Sequence, residues 1–528
     1  MKRNFILGTL ILSAFLVGCG EASKKVENNS VSSKQTIREV LHVEEDKSDE
    51  FEFETSEFNL GSRTYERVSG KAMPYELRGI ITLPKSDGKK PLVIAIHGSH
   101  DNENENVRFD TGFTYLLEKL GMNNYIGVAL DIQPAYVWKY GDNDDNEKIR
   151  AMFKEFIEAL KADENISNNI DFENIVLVGL SRGADTILDI ANENENIKGI
   201  LSVAPAISVR EESFVDIRTS IVVPEYDGDV ISLDGISIFD TIINTEGRIS
   251  DVDLIILEKA GHNAFNSNID RNDVEILGNE RKLEMQLDRE EQERFLGNLA
   301  IDFMDSIFKE ENNGLYEEKA LEPTTMYGLG VKTRSWKAEG EIILNKDNFE
   351  EAEGEKIELT SVKESQFYKY DETQGFKLPI TSIEEKDTKL LLNARWESEG
   401  AKIIVPLEKD LSQKEALVIS LALDSSDDLN NSKGIEEISV ELRDKKGNKS
   451  KIIIDEETKA LSYVEGKMDM TEIFEDKYYF WDSYTPLSMI RIPMNLFEGV
   501  TLEALDNMSI SFDNKETGAI MIEEISAM

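Results

Sequence analysis

The chain is poor in cysteine, histidine and positive charge. It has 1 cysteine, so no intrachain disulfide can form, and 4 histidines, too few to favour a metal site built from several imidazoles and thiolates. Lys and Arg number 59 against 104 Asp and Glu, which gives a formal net charge of -45. Nucleic-acid phosphates repel a polyanion of this size, so a nucleic-acid partner is excluded. With 528 residues, the chain is long enough for roughly two to four domains.

Long apolar runs are also scarce, and the clearest one lies at the N-terminus. Lys2 and Arg3 precede an apolar stretch at 5–17, which is shorter than the roughly 20 residues of a membrane-spanning helix. The stretch ends with LVGCG, in which Cys19 is the only cysteine of the chain. This ending resembles a bacterial lipobox, whose cysteine is lipidated and becomes the first residue of the mature protein. The alternative is a free cysteine in an ordinary signal peptide.

The lipobox resemblance implies that residues 1–19 are a lipoprotein signal peptide. The protein would then be exported and held by the lipid on Cys19 to the outer face of the membrane, in the cell envelope. Residues 20–50 are polar and charged, which predicts a flexible tether between the lipid and the folded part of the chain.

The pattern of residues 51–310 is typical of an α/β domain. Residues 92–96 (LVIAI) form a continuous apolar run, as expected of a strand that is covered on both faces. Between such runs lie helical stretches, one with apolar residues at a period of about 3.6 over 149–160 and another at about 290–308. This alternation predicts a doubly wound, mostly parallel sheet, with antiparallel strands leading into it at 51–90. The other strand-like runs are at 125–130, 175–178, 200–203, 220–223 and 254–257.

After about residue 310 the pattern changes to that of an all-β domain. Helical periodicity becomes scarce, and alternation with a period of two appears at 438–442 and 508–512. Turn signals separate these runs at 446–448 and 514–518. Residues 311–528 are therefore expected to form a β-sandwich accessory domain.

A candidate nucleophile follows one of the predicted strands. Residues 176–184 read VLVGLSRGA and contain the pattern Gly-x-Ser-x-Gly, with Ser181 at its centre. The pattern lies between an apolar strand and a helix-compatible stretch, where a tight turn exposes the serine hydroxyl. A side chain at either glycine would collide with the neighbouring strand or helix.

The serine needs a base and the base needs a carboxylate. His262 follows the last predicted strand, at the sheet edge where the chemistry of open α/β sheets gathers. Two carboxylates, Asp227 and Asp229, follow the strand before it, and Asp227 is the favoured partner. The resulting order of Ser181, acid and His262 predicts a catalytic triad in which the acid holds the His262 tautomer.

The remaining site residues surround this triad. Backbone amides of Arg182, directly after the nucleophile, and of Ser99, in the loop after the strand 92–96, are expected to form the oxyanion hole. In the same loop His97 is expected to be a structural brace. His100 and Trp138 are candidates for contact with the substrate.

In this order, HG at 97–98, GLSRG at 179–183, Asp227 and GH at 261–262 resemble the α/β-hydrolase family over residues 75–310. The similarity is greatest to compact secreted esterases of the dienelactone-hydrolase, cutinase and polyester-hydrolase kind. The family implies attack by Ser181 on an acyl carbonyl, an acyl-enzyme and hydrolysis by water, with no cofactor and no metal. The sequence departs from the family at Pro224 and Glu225, where a glycine often precedes the acid, so Asp229 stays open as the alternative.

The late strands of residues 311–528 resemble those of galactose-binding-like jelly rolls. The segments that carry this resemblance are 489–493, 496–499 and 518–525. It implies a carbohydrate as a possible partner of the C-terminal domain.

The sequence therefore predicts a lipid-anchored extracytoplasmic serine hydrolase that cleaves carboxylic esters. A serine peptidase or thioesterase of the same fold is one alternative, since a triad does not select the leaving group. A surface carbohydrate-binding protein with an inactive hydrolase domain is the other.

Overall fold

The protein is described from a computed structural model, in which it is a mixed α/β protein with large sheets, as the sequence predicts. The predicted signal peptide with Cys19, and Trp138, lie outside the described residues. None of the described helices is both long and apolar enough to cross a membrane. The described residues are 34–37, 41–43, 51–67, 69–137, 145–206, 214–309, 323–338, 340–364, 389–425, 427–455, 459–463, 468–473, 476–481 and 487–528.

The largest sheet has 11 strands in the spatial order β2-β11-β12-β10-β9-β8-β7-β5-β6-β4-β3. Its strands include every apolar run that the sequence predicted to be a strand of the α/β domain. They are β2 (Leu41–Val43), β3 (Phe53–Glu66), β4 (Ala72–Pro84), β5 (Lys90–Ile96), β6 (Ile126–Leu130), β7 (Ile170–Leu180), β8 (Ile197–Val203), β9 (Arg218–Pro224), β10 (Val252–Leu257), β11 (Pro323–Met326) and β12 (Leu329–Trp336).

The middle of this sheet is parallel and its margins are antiparallel. Strands β6, β5, β7, β8, β9 and β10 pair in parallel, whereas β4 and β12 pair antiparallel to β6 and β10. The chain places β6 on one side of β5 and then crosses to place β7 on the other side. Such a reversal opens a crevice at the carboxyl ends of the two strands, which is where open α/β sheets bind their ligands.

Helices cover both faces of the sheet because its central strands are apolar on both faces. Along β5, Leu92, Ile94 and Ile96 join a core with the helices at 145–162, 182–193 and 234–243, while Val93 and Ala95 join a second core with the helices at 114–122 and 289–308. Helices α3 and α8 confirm the two helices predicted from periodicity. The helices are α1 (Thr114–Met122), α2 (Gln133–Val137), α3 (Asp145–Ala162), α4 (Glu164–Ser167), α5 (Arg182–Glu193), α6 (Asp234–Ile243), α7 (Glu280–Met285) and α8 (Arg289–Phe308).

The other described residues are β-rich. Two six-stranded sheets, in the orders β1-β20-β19-β24-β17-β14 and β15-β16-β25-β18-β23 with β13 beside β25, send their inward side chains into one core. Strands β21 and β22 form a separate two-stranded sheet. The strands are β1 (Lys34–Ile37), β13 (Glu341–Leu344), β14 (Glu353–Glu355), β15 (Glu358–Glu364), β16 (Lys389–Trp396), β17 (Ala401–Pro406), β18 (Ala416–Leu423), β19 (Glu437–Asp444), β20 (Lys449–Asp455), β21 (Met468–Ile473), β22 (Asp476–Trp481), β23 (Ser488–Pro493), β24 (Leu505–Phe512) and β25 (Gly518–Ala527).

The structure differs from the sequence prediction at both margins of the α/β unit. The large sheet continues past residue 310, because residues 331–336 of β12 pair with β10 and the start of β12 pairs with β11. Before residue 51, two short strands lie within the predicted tether: β1 pairs with β20 and β2 pairs with β11. Both pair at a sheet edge, where unpaired backbone groups accept any extended segment whatever its side chains.

Candidate active site

Ser181 occupies a strained turn between a strand and a helix. It is the single residue between β7 and α5, and its backbone lies at φ 57° and ψ -124°, a region that residues with a Cβ rarely adopt. Three backbone hydrogen bonds hold this conformation. The Ser181 N–H donates to the Val203 carbonyl at 3.0 Å, and its own carbonyl accepts from Ala184 at 3.0 Å and from Ala206 at 3.2 Å.

The two glycines of the motif are required by the close approach of α5 to the sheet. A methyl group on Gly179 would lie 2.6 Å from Ala184 Cα, and one on Gly183 would lie 2.3 Å from the Ile96 carbonyl oxygen. Neither position has room for a side chain. The sequence pattern predicted this steric requirement for both glycines.

His262 is hydrogen-bonded to Asp227. His262 Nδ1 and Asp227 Oδ2 are 2.8 Å apart, and both residues are buried. The other carboxylate oxygen, Oδ1, accepts from the backbone N–H groups of Asp229 at 3.0 Å and Val230 at 2.6 Å. His262 Nε2 is buried and makes no hydrogen bond with the described residues. The pair therefore leaves Nε2 as the ring atom that can take a proton.

Asp229, the alternative acid, has a different partner. It forms an ion pair with the exposed Arg271 and is itself partly exposed. Of the two carboxylates that the sequence left open, the structure thus places Asp227 against His262.

Burial and charge act in opposite directions on this pair. Burial lowers the pKa of His262, but the carboxylates of Asp227 and Asp273 outweigh it and leave the pKa above its ordinary value of 6.5. Burial also raises the pKa of Asp227, against the lowering effect of His262.

Gly98 brings the loop after β5 against the candidate nucleophile. A methyl group on Gly98 would lie 2.5 Å from Ser181 Cβ and 3.0 Å from His100 Nε2. The His100 ring in turn lies 6.2 Å from the His262 ring, centroid to centroid. His100 therefore lies close to the loop that packs against Ser181 and close to the His262 ring, while His262 Nε2 has no hydrogen-bond partner among the described residues.

His97 braces the loop, as the sequence predicted. Its Nε2 accepts from the Ile132 N–H at 3.2 Å, which assigns the ring proton to Nδ1, and Nδ1 donates to the Gly98 carbonyl at 2.8 Å. Because a trans peptide holds its C=O and N–H on opposite sides, this bond turns the Ser99 amide away from His97.

The two predicted oxyanion donors belong to segments that adjoin Ser181. Arg182 follows it directly as the first residue of α5, and Ser99 follows Gly98, which packs against Ser181. The Ser99 side chain is engaged separately and donates to Asn102 Oδ1 at 2.5 Å.

Of the two candidates for contact with the substrate, His100 and Trp138, His100 is among the described residues. Its ring packs on Phe109 at 5.3 Å, and its Nε2 is buried without a hydrogen bond among the described residues. Burial, followed by the proximity of His262, holds the pKa of His100 well below 6.5. In a neutral imidazole, the His100 Nε2 atom can either donate or accept one hydrogen bond with a bound molecule.

One residue of this region was not predicted. Asp273 lies in a turn between β10 and α8, and its carboxylate contacts the loops of both Asp227 and His262. The only sequence signal was the length of the connection at 266–290, which exceeds a minimal link but does not single out a residue.

The described residues hold no group of three or more His, Cys, Asp or Glu side chains placed to bind a metal ion. A comparison with models of known protein families finds no match to this chain. A comparison with curated proteins finds no significant similarity either.

Proposed function

We propose that the protein is a serine hydrolase of carboxylic esters, built on the α/β-hydrolase fold. The observation that carries this proposal is the buried hydrogen bond between His262 and Asp227, whose loops follow β10 and β9 at the same edge of the parallel sheet where the strained Ser181 follows β7. A strained serine, an imidazole with one free nitrogen and a buried carboxylate are the three parts of an acyl-transfer site. The order of the strands and the helices on both faces of the sheet support the fold.

The proposed reaction proceeds in two steps. His262 Nε2 takes the proton of the Ser181 hydroxyl as Oγ attacks the ester carbonyl, and the amides of Ser99 and Arg182 stabilise the oxyanion. The tetrahedral intermediate expels the alcohol, which receives the proton from His262. Water then attacks the acyl-enzyme with His262 again as the base. The bond between the acyl carbon and Ser181 Oγ breaks, His262 returns the proton to Oγ, and the carboxylic acid leaves. Asp227 stabilises the imidazolium in both steps.

The nucleophile is tested with the variant S181A. We expect hydrolysis of p-nitrophenyl acetate to fall about a thousand-fold or more, because the base and the oxyanion donors alone do not form the acyl-enzyme. The matched control is S237A, which removes an exposed hydroxyl from α6 in the same unit. Wild type and S237A should also react with a fluorophosphonate probe, and S181A should not. Unchanged hydrolysis in S181A would exclude Ser181 as the nucleophile.

The leaving group is tested with one acyl group presented as an ester, a thioester and an anilide. Expelling an amine requires prior protonation, whereas an alkoxide leaves more readily, so we expect the ester to have a higher kcat/KM than the anilide. Because a thiolate leaves more readily than an alkoxide, the ester and the thioester are compared by kcat/KM divided by the rate of uncatalysed hydrolysis, and we expect the larger ratio for the ester. A higher kcat/KM for the anilide, or a larger ratio for the thioester, would replace the ester assignment with a peptidase or a thioesterase.

We further propose that the protein is a lipoprotein of the cell envelope. The support is sequence alone: the basic start, the short apolar run and the single cysteine at its end. In C19A we expect the protein to move from the detergent phase to the aqueous phase in phase partition, with the neighbouring G20A as the control. Equal partition of C19A and wild type would contradict lipidation.

For residues 341–528 we propose a jelly-roll sandwich of the galactose-binding-like kind. Two sheets around one core support this assignment. Trp396 is buried and stacks on Phe512 at 4.1 Å, so it is engaged in the core and does not offer a face to a sugar.

A further inference from the structure

Asp273 connects the two loops that carry Asp227 and His262. Its buried carboxylate accepts three backbone hydrogen bonds from residues remote from it in sequence. Oδ2 accepts from Gly228 at 2.9 Å and from His262 at 2.8 Å, and Oδ1 accepts from Asn263 at 2.9 Å. One oxygen thus bonds both the loop of the acid and the loop of the base.

The local turn does not need this carboxylate. Asp273 begins a short 3-10 turn, Asp273–Leu277, and the cap of that turn is the preceding Asn272, whose side chain accepts from the Val274 N–H at 3.1 Å. The Asp273 side chain is free to face the other two loops, so its position is not explained by turn formation.

The loops of Asp227 and His262 also pack closely against the turn that contains Asp273. A methyl group on Gly228 would lie 1.9 Å from the Asp273 carbonyl oxygen, and one on Gly261 would lie 2.9 Å from Val274 Cγ2. The acid loop, the base loop and the 3-10 turn therefore interlock with no room for adjustment, and a shift of one would move the others.

We propose that Asp273 is a positioning residue, which fixes His262 relative to Asp227 and places a second negative charge behind the imidazole. The inference rests on the proposed function. Asp273 does not touch the reacting atoms. It acts through the His262 backbone and through the electric field at the ring, which favours the imidazolium formed when Ser181 loses its proton.

The charges around the ring have a definite arrangement. Among the described residues, Asp227 and Asp273 face His262 as carboxylates, and His100 faces it as a neutral imidazole. The exposed Arg271 lowers the pKa of His100 through its positive charge and forms an ion pair with Asp229. Both carboxylates raise the pKa of His262, so the loss of the Asp273 charge should lower it.

The test is the variant D273N, which keeps the shape of the side chain but not its charge. With only 4 histidines in the chain, the imidazole of His262 can be followed by NMR through a pH titration. We expect its pKa to fall, kcat/KM to drop about 10- to 100-fold, and KM to change little, because Asp273 does not contact substrate. The acid limb of the pH profile should move to lower pH by the same amount as the NMR titration.

The matched control is D270N, the same substitution at an exposed position three residues away. His97, buried and bonded to Gly98, reports an intact fold through an unchanged resonance in both variants. A second variant, G228A, forces the loops apart while keeping the charge, and should lower kcat even if D273N is too unstable to titrate.

The results separate this inference from the function on which it rests. An unchanged His262 pKa in D273N overturns the inference, even if activity falls, because general loosening of the fold lowers activity without that shift. Unchanged activity in G228A overturns it as well. A wild-type protein without Ser181-dependent hydrolysis would instead overturn the proposed function, while the NMR titration would still test the role of Asp273.

Discussion

At the scale of single residues, the protonation of His262 decides when Ser181 can react. Only the neutral ring accepts a proton from the hydroxyl. Burial lowers the pKa of His262, but Asp227, and to a smaller extent Asp273, raise it by more than burial lowers it. The pKa of His262 therefore lies above 6.5. The neutral form is therefore lost as the pH falls through that raised pKa.

We expect kcat/KM for ester hydrolysis to rise with pH through a single ionisation whose midpoint is above 6.5. His100 is neutral throughout this range because its pKa lies well below 6.5. The measurement is the pH profile of kcat/KM for wild type and for H100Q. The value of kcat/KM itself is free to change in H100Q, but the midpoint should not. A midpoint below 6.5, or one that moves in H100Q, would contradict the assignment of this ionisation to His262.

Residues differ in how far the sequence alone could identify them. The pattern around Ser181 and the loop position of His262 were sufficient to select both as candidates. The sequence left Asp227 and Asp229 open because both follow the same strand, and only the fold decides which of them faces the imidazole. Asp273 could not be found, because its partners are backbone amides, which are present at every residue and leave no pattern.

At the scale of elements, strands covered on both faces were the easiest to predict. The apolar run at 92–96 lies within β5 because a strand between two helical layers has no polar face. Strand β12, in contrast, contains charged residues in its interior, and both Lys332 and Arg334 are buried. Lys332 pairs with Glu225, and Arg334 pairs with Asp240 and Glu523. Because of these charged residues, the sequence of β12 does not show the apolar pattern by which a strand of the large sheet would be predicted.

The short strands β1 and β2 illustrate a second limit of prediction. They join the edges of two different sheets, one in the β-rich unit and one in the α/β unit. Edge pairing depends on backbone groups rather than on an apolar face, so a polar segment such as 34–37 pairs without any hydrophobic signal. The predicted tether therefore includes residues that belong to both sheets.

At the scale of the whole molecule, the two units meet at a cluster of four charged side chains. Arg334 of β12 contacts Asp240 of α6 at 3.2 Å and Glu523 of β25 at 2.5 Å. Lys389 of β16 contacts the same two carboxylates, Asp240 at 2.6 Å and Glu523. Arg334 is 3% exposed, so its charge depends on these partners in place of water.

The cluster also sets how the interface responds to acid. Burial raises the pKa of Glu523, but Arg334 and Lys389 outweigh it and lower the pKa to about 2 from an ordinary 4.5. Since the folded-state pKa is the lower one, the stabilisation from this carboxylate is fully present above pH 4.5. It is lost as the pH falls from 4.5 to about 2.

We expect R334M to unfold more easily than wild type, by about 3–5 kcal/mol at neutral pH, because it removes the buried guanidinium that pairs with both Asp240 and Glu523. The control is R443M, which removes the exposed pair of Arg443 with Asp506 and should cost less than about 1 kcal/mol. Denaturant unfolding as a function of pH measures both. The gap between R334M and wild type should narrow between pH 4.5 and 2, as Glu523 is protonated and Arg334 loses a partner even in the wild type. A gap that is absent at neutral pH, or constant down to pH 2, would mean that the two units are held together by contacts other than this cluster.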